Sequence, residues 1–310
     1  MKCKVFIDGH EGTTGLRIFD RLKDTVGIEL LMLSDADRKK PEKRREMLNE
    51  SDLTFLCLPD EAAKETVSFA ERDGVKIIDA STAHRTSAEW AYGFPELSEE
   101  HRRHIKGKNR VSVPGCHASG FVALVYPLIK RGLLNKSTAL SVLSVTGYSG
   151  GGKKMISEYE SAVRDKQLDS PRIYATAQAH KHLPEMTSQT GLLNAPVFVP
   201  VVADYYCGMV TSIPLHKDIL SVSPQQIEEL YHEFYDNNGV MEVLKYTGEN
   251  SYIAGNLLSG SDKMQIRIEG DEERMVLTAC FDNLGKGASG AAVQCMNLML
   301  GKNEIEGLNI

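Results

Sequence analysis

The sequence lacks both the long apolar runs of a membrane protein and the positive charge of a nucleic-acid-binding protein. No apolar run approaches the roughly 18 residues that span a bilayer. The 310 residues contain 36 lysines and arginines against 42 aspartates and glutamates, a formal net charge of −6. This mild acidic excess gives no support to binding of nucleic acid or of a membrane surface. The N-terminus carries charges where a signal peptide would need an apolar core, so we expect a cytoplasmic protein.

Cysteine is present, but never in a Cys-x-x-Cys pair. The sequence therefore indicates neither a zinc ribbon nor a thioredoxin-like motif, and we predict no metal site. Disulfides are not expected in a reducing compartment. Five of the six cysteines lie in strand-like or helix-like segments and are predicted to be small buried side chains: Cys3, Cys57, Cys207, Cys280 and Cys295. The sixth, Cys116, differs because of the residues around it.

The chain is about twice as long as a usual single domain, which predicts two domains. In its first third, short apolar strands such as "KVFID" and "LTFLCLP" alternate with polar helical stretches. This alternation is typical of an α/β fold with a Rossmann-like, doubly wound parallel sheet. From about Leu140, longer β-rich runs predict a second, α+β domain with a mixed or antiparallel sheet. We place domain boundaries near Gly115 and Asn283, and we expect the glycine-rich stretch Gly147–Lys154 to be flexible.

A glycine-rich segment, "DGHEGTTGLRI", directly follows the first predicted strand. Its glycines are Gly9, Gly12 and Gly15, and Thr13 and Thr14 lie between the last two. The spacing is Gly-x-x-Gly-x-x-Gly, whereas the usual dinucleotide fingerprint is Gly-x-Gly-x-x-Gly. In both, small residues let the backbone approach a pyrophosphate, and a helix N-terminus supplies oriented N–H groups. The strand before and the amphipathic helix after favour dinucleotide binding over a purely structural turn.

The end of the second predicted strand, "LSDADRKK", bears on which dinucleotide binds. Asp35 or Asp37 could accept a hydrogen bond from the ribose of NAD. Ser34, Arg38 and Lys39 could instead hold the extra phosphate of NADP. Any one of these residues could equally belong to a solvated helix start. Together, the hydroxyl and the basic residues favour NADP.

Cys116 lies between the Pro-Gly turn of "VPGCHASGF" and an apolar run of helical period that starts at Phe121. We therefore expect Cys116 at or just before a helix N-terminus. The partial positive charge there favours a thiolate, and free N–H groups can stabilise an oxyanion. From these residues alone, Cys116 is either a nucleophile or a small buried residue where a strand turns into a helix.

A thiol nucleophile needs an acid–base partner, most often histidine. The segment "AQAHKHLPEM" places His180 and His182 two residues apart, and in an extended segment both side chains project to the same face. The alternative is a surface or metal-binding pair, for which only Glu185 offers a further ligand. Four polar or basic residues are candidates for binding an anionic substrate: Arg85, Ser149, Lys153 and Lys154.

Taken together, these segments resemble the N-acetyl-γ-glutamyl-phosphate reductase family of the semialdehyde dehydrogenase superfamily, and its shorter variant (type 2) in particular. The similar stretches include "FIDGHEGTTGLRI", "DASTAHRT", "VPGCHASGF", "AHKHLPEM" and "DNLGKGASGAAVQCMNLMLG", and they extend over nearly the whole chain. "VPGCHASGF" and "DNLGKGASGAAVQCMNLMLG" are specific to this family, whereas the glycine loop is much less so. The longer variant is closer to "NPGCYPT" at the cysteine, and this chain departs from it over His117–Ser119.

The resemblance implies a Rossmann domain over residues 1–115 that binds NADP and is rejoined by a C-terminal helix at 284–310. It implies a catalytic and oligomerisation domain over 116–283, in a homo-oligomer that is a dimer or tetramer. Within this frame Cys116 is the nucleophile, and the general acid–base lies at His180, ahead of His182. Asn283 is expected to border the nicotinamide.

The expected reaction is reduction of a small acyl phosphate, N-acetyl-γ-glutamyl phosphate, to N-acetylglutamate semialdehyde and phosphate in arginine biosynthesis. It would pass through a thioester on Cys116 and use NADPH as the reductant. The nearest alternative is another phosphorylating aldehyde dehydrogenase, such as one acting on aspartyl phosphate. More distant alternatives are a thiol hydrolase or acyltransferase without redox chemistry, and a dinucleotide sensor without catalysis.

Overall fold

A computed structural model of the chain describes residues 2–72, 74–235 and 239–310. The chain divides into two compact units. The first consists of Met1–Pro114 and Ala288–Leu308, and the second of Gly115–Gly287 and Asn309–Ile310. Within the described ranges, no helix is both long enough and apolar enough to cross a membrane.

The described residues form strands and helices in the following chain order. The strands are β1 Cys3–Asp8, β2 Ile28–Leu31, β3 Leu53–Leu56, β4 Lys76–Asp79, β5 Ala91–Tyr92, β6 Arg110–Ser112, β7 Ser141–Gly147, β8 Arg172–Ile173, β9 Val197–Ala203, β10 Met209–His216, β11 Met241–Val243, β12 Met264–Gly270 and β13 Arg274–Phe281. The helices are α1 Thr13–Leu22, α2 Pro41–Glu50, α3 Asp60–Ser68, α4 Glu99–Gly107, α5 Cys116–Lys130, α6 Gly152–Tyr159, α7 Leu183–Thr190, α8 Pro224–Tyr235 and α9 Gly290–Met299. A π-helical segment, Gly285–Ser289, directly precedes α9.

The sheet of the first unit is parallel, in the order β2-β1-β3-β4-β6-β5. The chain moves outward from β1 to β2 and then returns past β1 to β3, so the strand order reverses between β1 and β3. Open α/β sheets bind ligands at such a reversal, outside the carboxyl ends of the strands. The strand order confirms the predicted Rossmann-like sheet and places the glycine loop after β1 at the reversal.

Helices cover both faces of this sheet, because successive side chains of each strand point to opposite faces. Val5 of β1 belongs to one buried cluster, together with Ile18 of α1 and Val293 of α9. Phe6, the next residue, belongs to a second cluster, together with Leu48 of α2. All residues of β3 are buried, as expected for a parallel strand covered on both sides. The sheet is therefore doubly wound, as predicted.

The sheet of the second unit is mixed, in the order β11-β12-β13-β10-β7-β9-β8. Its β7–β9 and β11–β12 pairs are parallel and its other neighbouring pairs antiparallel. Helix α5 lies closely against this sheet, since a Cβ added at Gly120 would lie 2.6 Å from Thr211 Oγ1 of β10. The Tyr231 hydroxyl of α8 donates to the Leu124 carbonyl of α5 at 2.7 Å. A mixed sheet in an α+β unit was predicted, and the topology confirms it.

The same sheet exposes apolar side chains on two neighbouring strands, β7 and β9. Along β7 and β9, exposed and buried residues alternate at the start of each strand. Leu143 of β7 is 43% exposed and Val197 of β9 is 56% exposed. Among the residues that the structure describes, these two apolar side chains thus stay partly exposed to solvent.

The glycine-rich stretch Gly147–Lys154 is ordered, so the prediction of a flexible loop is wrong. It forms a 3₁₀ turn over Tyr148–Gly151 and then enters α6. The N–H groups of Gly147 and Ser149 donate to the carbonyls of Gly208 and Tyr206. A Cβ at Gly147 would lie 2.6 Å from two carbonyl oxygens. The first glycine therefore permits a close approach of two backbone segments.

The six cysteines are free thiols. Cys207, Cys280 and Cys295 are buried as predicted, whereas Cys3 and Cys57 are only half-buried. Burial raises the pKa of the Cys280 thiol to about 11, so this thiol stays protonated and unreactive near neutral pH. Cys116 is half-buried and lies in a different environment.

Candidate active site

Cys116 is the first residue of α5, which confirms its predicted place at a helix N-terminus. Gly115 is the N-cap, with φ −75° and ψ 144°, and its carbonyl accepts hydrogen bonds from the N–H and the hydroxyl of Ser119. The 15 residues of α5 direct their peptide dipoles so that partial positive charge collects at Cys116. Such a position favours the thiolate form of a cysteine.

The space beside the Cys116 side chain depends on a glycine in the π-helical segment. A Cβ added at Gly287 would lie 3.1 Å from the Cys116 Cβ and 3.1 Å from the Asp282 carbonyl oxygen. Any larger residue at this position would press on the Cys116 side chain. The glycines of "GKGASG" thus have a steric role next to the thiol.

Three histidines form one aromatic cluster, and one of them, His117, directly follows Cys116 in the chain. The ring of His117 lies 5.6 Å from the ring of His180 and 5.6 Å from that of His182, and the latter two rings are 4.7 Å apart. Phe198 packs edge-on against His117 and His180, and Tyr174 lies 6.0 Å from each of the same two rings. The structure therefore brings both predicted acid–base candidates together with His117, the residue that follows Cys116.

The segment that carries His180 and His182 is not extended, and this expectation was wrong. It forms a turn in which the His182 N–H donates to His180 Nδ1 at 3.2 Å, and His182 is the N-cap of α7. The two rings meet edge to face instead of projecting in parallel. Pro184, whose fixed φ suits the first turn of a helix, favours a helix start at this point.

His117 is held as a neutral imidazole. Burial, assisted by the nearby His180, lowers the pKa of His117 to about 3. Burial, and then Cys116, hold the pKa of the Tyr174 hydroxyl above its usual range, and this hydroxyl is hydrogen-bonded to His117 Nε2 at 2.5 Å. The other ring nitrogen, His117 Nδ1, is hydrogen-bonded to Ser144 Oγ at 2.7 Å. Both ring nitrogens are occupied, which removes His117 from the candidates for proton transfer.

His180 differs from His117 in its surroundings. It is half-buried, and burial, with a smaller effect of Lys181, lowers its pKa to about 4. At neutral pH it is an uncharged imidazole whose acceptor nitrogen, Nδ1, is bonded to the His182 N–H. It can accept a proton from a thiol at Nδ1 once that bond opens. His182 is buried under the same cluster.

Glu185 was considered from the sequence only as a zinc ligand, but it contacts Gly115, the N-cap of α5, directly. Its Oε1 accepts a hydrogen bond from the Gly115 N–H at 2.8 Å, and the side chain is 1% exposed. The described residues hold no group of three or more His, Cys, Asp or Glu side chains arranged around a metal ion. Tyr174 was also missed, because its contacts come from strand pairing far along the chain.

Asn283 and Ser149, predicted for the cofactor and the substrate, are bonded to each other. The Asn283 amide donates to Ser149 Oγ at 3.1 Å and accepts from the Gly208 N–H at 2.9 Å, and both side chains are buried. Lys153 and Lys154 are exposed on the first turn of α6. Only these two lysines, of the predicted second-unit substrate residues, have exposed side chains.

The glycine loop of the first unit has the geometry that a dinucleotide pyrophosphate needs. Gly9 has φ +88°, and a Cβ there would lie 2.4 Å from the Cys57 carbonyl oxygen. A Cβ at Gly15 would lie 2.3 Å from the Gly9 carbonyl oxygen. Gly12 is the N-cap of α1, so the N–H groups of the first turn, from Thr13 onward, are directed out of the helix end. These residues fit a bound dinucleotide phosphate.

A buried ion pair, Asp8 with Arg44, holds the end of the strand from which this loop begins. Asp8, the last residue of β1, accepts a hydrogen bond from Arg44 Nε of α2 at 2.9 Å and from the Thr66 hydroxyl of α3 at 3.2 Å. Burial raises the pKa of the Asp8 carboxyl, and Arg44 opposes that shift. The pair joins two helices to the strand from which the glycine loop begins.

The residues predicted to select NADP lie together after β2. Ser34 donates to Asp37 at 2.9 Å. Arg38 forms ion pairs with Glu11 at 3.1 Å and Asp35 at 3.2 Å. Lys39 is exposed. Arg38 thus connects this turn to the glycine loop, through a pairing that the sequence did not indicate.

Arg85 uses its guanidinium on backbone groups. Nε donates to the Val113 carbonyl at 2.9 Å and Nη2 to the Ala80 carbonyl at 3.0 Å, and the residue is 7% exposed. The neighbouring His84 donates to or accepts from Asp79 at 2.6 Å and stacks on Trp90. These contacts order the "DASTAHRT" loop at the carboxyl end of β4; the predicted contact of Arg85 with substrate stays a prediction.

Comparison with known proteins gives two family matches. Residues 4–105 match the semialdehyde dehydrogenase NAD binding domain, and residues 116–283 match the semialdehyde dehydrogenase dimerisation domain. The first match bears out a nicotinamide cofactor, and the second supports the predicted homo-oligomer.

The chain is also similar along its whole length to named relatives. It is 41% identical over 308 residues to N-acetyl-gamma-glutamyl-phosphate reductase of Burkholderia lata, with 97% of each chain covered. It is 40% identical over 320 residues to N-acetyl-gamma-glutamyl-phosphate reductase 2 of a Nostoc species, with 99% of each covered. The reductase 2 of Pseudomonas putida is 41% identical over 309 residues, with 98% of each covered.

Solved structures share the fold. Aspartate semialdehyde dehydrogenase II of Vibrio cholerae has a TM-score of 0.72 at 15% identity, covering 97% of this chain and 99% of the other. The Candida albicans enzyme, solved with NADP, has a TM-score of 0.69 at 15% identity, covering 98% and 100%. Two family models, full-length relatives near 40% identity and a shared two-domain fold agree with the resemblance predicted from the motifs. The chain therefore belongs to the semialdehyde dehydrogenase family and, within it, to the N-acetyl-γ-glutamyl-phosphate reductases.

Proposed function

We propose that the protein reduces N-acetyl-γ-glutamyl phosphate to N-acetylglutamate 5-semialdehyde and phosphate with NADPH, in arginine biosynthesis. The names of the full-length relatives support the substrate. The observation that carries the chemistry is the position of Cys116, the first residue of a 15-residue helix, directly before a histidine whose ring contacts His180.

In the first half-reaction, Cys116 acts as the nucleophile and His180 as the base. The thiol proton passes to the neutral His180 imidazole while Sγ forms a bond with the γ-carbonyl carbon. The N–H groups of the first turn of α5 stabilise the oxyanion of the tetrahedral adduct. The adduct collapses with cleavage of the carbon–oxygen bond to phosphate, and the acyl group stays on Cys116 as a thioester.

In the second half-reaction, the thioester is reduced to an aldehyde. NADPH, when bound, supplies a hydride to the thioester carbon. The same N–H groups then hold the oxyanion of the thiohemiacetal. Its collapse breaks the carbon–sulfur bond, the aldehyde departs, and His180 returns its proton to Cys116. His182 is the second candidate for this proton transfer.

The choice of NADPH over NADH rests on the turn after β2. Ser34, Arg38 and Lys39 place one hydroxyl and two cations beside the glycine loop, which suits the ribose phosphate of NADP. Arg38 would exchange its exposed pairs with Glu11 and Asp35 for the phosphate. Gly9, Gly12, Thr13, Thr14 and Gly15 would hold the pyrophosphate.

Substrate recognition is divided between exposed and buried residues. Lys153 and Lys154 are the groups proposed to attract the anionic substrate, since both are exposed on α6. Ser149 and Arg85 are proposed to contact the substrate as well. Asn283 is proposed to border the nicotinamide.

The two units are proposed to divide the function as their family matches do. Residues 1–115 with the C-terminal helix, 284–310, would bind NADP. Residues 116–283 would carry catalysis and the contacts between subunits. The exposed apolar side chains of β7 and β9, including Leu143 and Val197, support a subunit interface on the second sheet, in a dimer or a tetramer of such dimers.

The reverse reaction tests the whole proposal. Wild type and Cys116→Ala are each mixed with N-acetylglutamate semialdehyde, phosphate and NADP or NAD, and absorbance of the reduced nicotinamide is followed. We expect phosphate-dependent formation of NADPH by wild type. Cys116→Ala should lose about 1,000-fold or more in rate, because no thioester can form.

Other outcomes of this assay correct the proposal in defined ways. Reaction with aspartate semialdehyde instead would keep the chemistry and change the substrate. Equal rates with NAD would remove the proposed role of the turn after β2. An unchanged rate in Cys116→Ala would remove the nucleophile assignment.

A further inference from the structure

Glu185 is a buried carboxylate that the proposed proton transfers do not use. It is the third residue of α7 and is 1% exposed. Burial of a carboxylate is costly unless it is paired or hydrogen-bonded. One of its bonds crosses to another helix, where Oε1 accepts from the Gly115 N–H at 2.8 Å. Gly115 is the N-cap of α5 and is directly bonded to Cys116.

The same short segment of chain carries the acid–base candidates. His180 lies five residues before Glu185, and His182 is the N-cap of the helix on which Glu185 sits. Two features restrain this segment: the His182 N–H donates to His180 Nδ1 at 3.2 Å, and Pro184, with its fixed φ, is the second residue of the helix. Movement of α7 would therefore move the histidines and the anchor of Gly115 together.

The hydrogen bond also determines which N–H groups remain available at the end of α5. A helix leaves the N–H groups of its first turn without intrahelical partners. The Glu185 carboxylate, which is buried, accepts the hydrogen bond of the Gly115 N–H, one residue before the helix. The oxyanion is therefore proposed to be held by N–H groups within the first turn of α5 and not by that of Gly115.

We propose that Glu185 is a positioning residue that fixes the Cys116 thiol against the His180 imidazole by tying the N-cap of α5 to α7. In this role it acts through Gly115 and not by contact with the substrate or the cofactor. The inference rests on the proposed function for the role of Cys116 and His180, but the contact itself does not depend on which acyl phosphate is reduced.

The test compares Glu185→Ala, Glu185→Gln and a packing control, Met186→Ala. Met186 is fully buried on the same helix, and its truncation loosens α7 without removing the bond to Gly115. The first readout is the rate at which iodoacetamide alkylates Cys116 at pH 7.5, measured by mass spectrometry of its peptide. The second is kcat and KM in the reverse reaction. NADP binding, measured by titration, serves as a check on the first unit.

Glu185→Ala should lower both the alkylation rate and kcat by roughly 100-fold, because a displacement of about 1 Å at reacting atoms costs that much. KM for the aldehyde should change less than about threefold, because a positioning residue affects the reacting geometry and not substrate binding. Glu185→Gln keeps an oxygen acceptor and should restore both rates to within about tenfold of wild type. Met186→Ala should lower the melting temperature but leave the alkylation rate close to wild type.

Three results would overturn the inference: wild-type alkylation and kcat in Glu185→Ala, no rescue by Gln, or an equal loss in Met186→Ala. Failure of the proposed function has a different signature. In that case wild type would neither form the expected semialdehyde nor oxidise it, while the alkylation rates would still report whether Glu185 positions Cys116.

Discussion

Two helix N-termini carry the proposed chemistry, and they are built in opposite ways. α1 begins in a loop without obstructing side chains, where Gly9 and Gly15 pack backbone against backbone. α5 begins with a reactive side chain, and the groups around it are joined to one another: Glu185 holds Gly115, and His117 is held by other side chains. The first site depends on the absence of side chains at its glycines, and the second on hydrogen bonds between side chains. Different substitutions should therefore abolish cofactor binding at the first site and thiol reactivity at the second.

The largest expected difference comes from adding one methyl group to the first site. A Cβ in Gly15→Ala would lie 2.3 Å from the Gly9 carbonyl oxygen, so the loop must move. Overpacking of this kind costs about 1–3 kcal/mol, and we expect the Kd for NADPH to rise roughly 10- to 100-fold. Fluorescence titration of NADPH measures the change.

The control for this variant is Gly107→Ala, since a Cβ at Gly107 meets nothing within 4 Å. The counterpart at the second site is Gly287→Ala, whose Cβ would lie 3.1 Å from that of Cys116. Gly287→Ala should slow alkylation of Cys116, and Gly15→Ala should not. If Gly15→Ala slowed alkylation as much, the two termini would not be independent.

A second prediction concerns the network at α5 and its response to acid. The pKa of His117 is about 3 in the folded protein, against about 6.5 in an unfolded chain. Between these values the unfolded state binds more protons, so stability falls as pH falls from about 6.5 towards 3. From pH 6.5 to 4.5, wild type should lose about 2 kcal/mol more of its unfolding free energy than His117→Gln.

Urea unfolding followed by circular dichroism at the two pH values measures this difference. His216→Gln, at an exposed position of β10, should lose as much stability as wild type. An equally steep loss in His117→Gln would show that His117 is not the neutral imidazole inferred from its hydrogen bonds.

The smallest predicted effect concerns the exposed charges of the first unit. Arg38 is paired at the surface, and exposed ion pairs contribute little to stability, so Arg38→Ala should fold normally. Its preference for NADPH over NADH should fall by roughly 10-fold, the lower end of what a charged hydrogen bond contributes. Competition between the two cofactors in the reductase assay measures the ratio.

Lys43→Ala is the matched control, because Lys43 pairs with Glu46 on the outside of α2. An equal change of preference in both variants would point to net charge alone, without a phosphate site after β2.

Local patterns in the sequence predicted the features that are made locally. The strands β1 to β4 lie in the apolar runs that suggested them, and Cys116 begins a helix because a Pro-Gly turn precedes an apolar helical run. The glycine spacing after β1 likewise describes a site made from contiguous backbone. These are features that a window of ten to fifteen residues contains.

The sequence did not predict features that depend on distant partners. The stretch Gly147–Lys154 has the composition of a flexible loop, but its N–H groups are paired with carbonyls some sixty residues further on. The turn at His180 and His182, and the bond from Glu185 to Gly115, arise from packing of α7 near α5. The Asp8–Arg44 pair also joins residues 36 positions apart. No local spacing rule indicates such pairs.

The first unit is built from two segments that are far apart in the chain, and this has a consequence for its synthesis on the ribosome. Helix α9 contributes Ala291, Val293 and Met296 to the same buried cluster as β1, but the ribosome makes it only after the whole of Gly115–Gly287. One face of the parallel sheet, which α1 covers in part, therefore stays incompletely buried while the second unit is being made. Because the second unit is nearly continuous in the chain, we expect it to mature first, reversing the usual N-terminal-first order. Until α9 emerges, the half-finished nucleotide-binding sheet is the part of the nascent chain most in need of a chaperone.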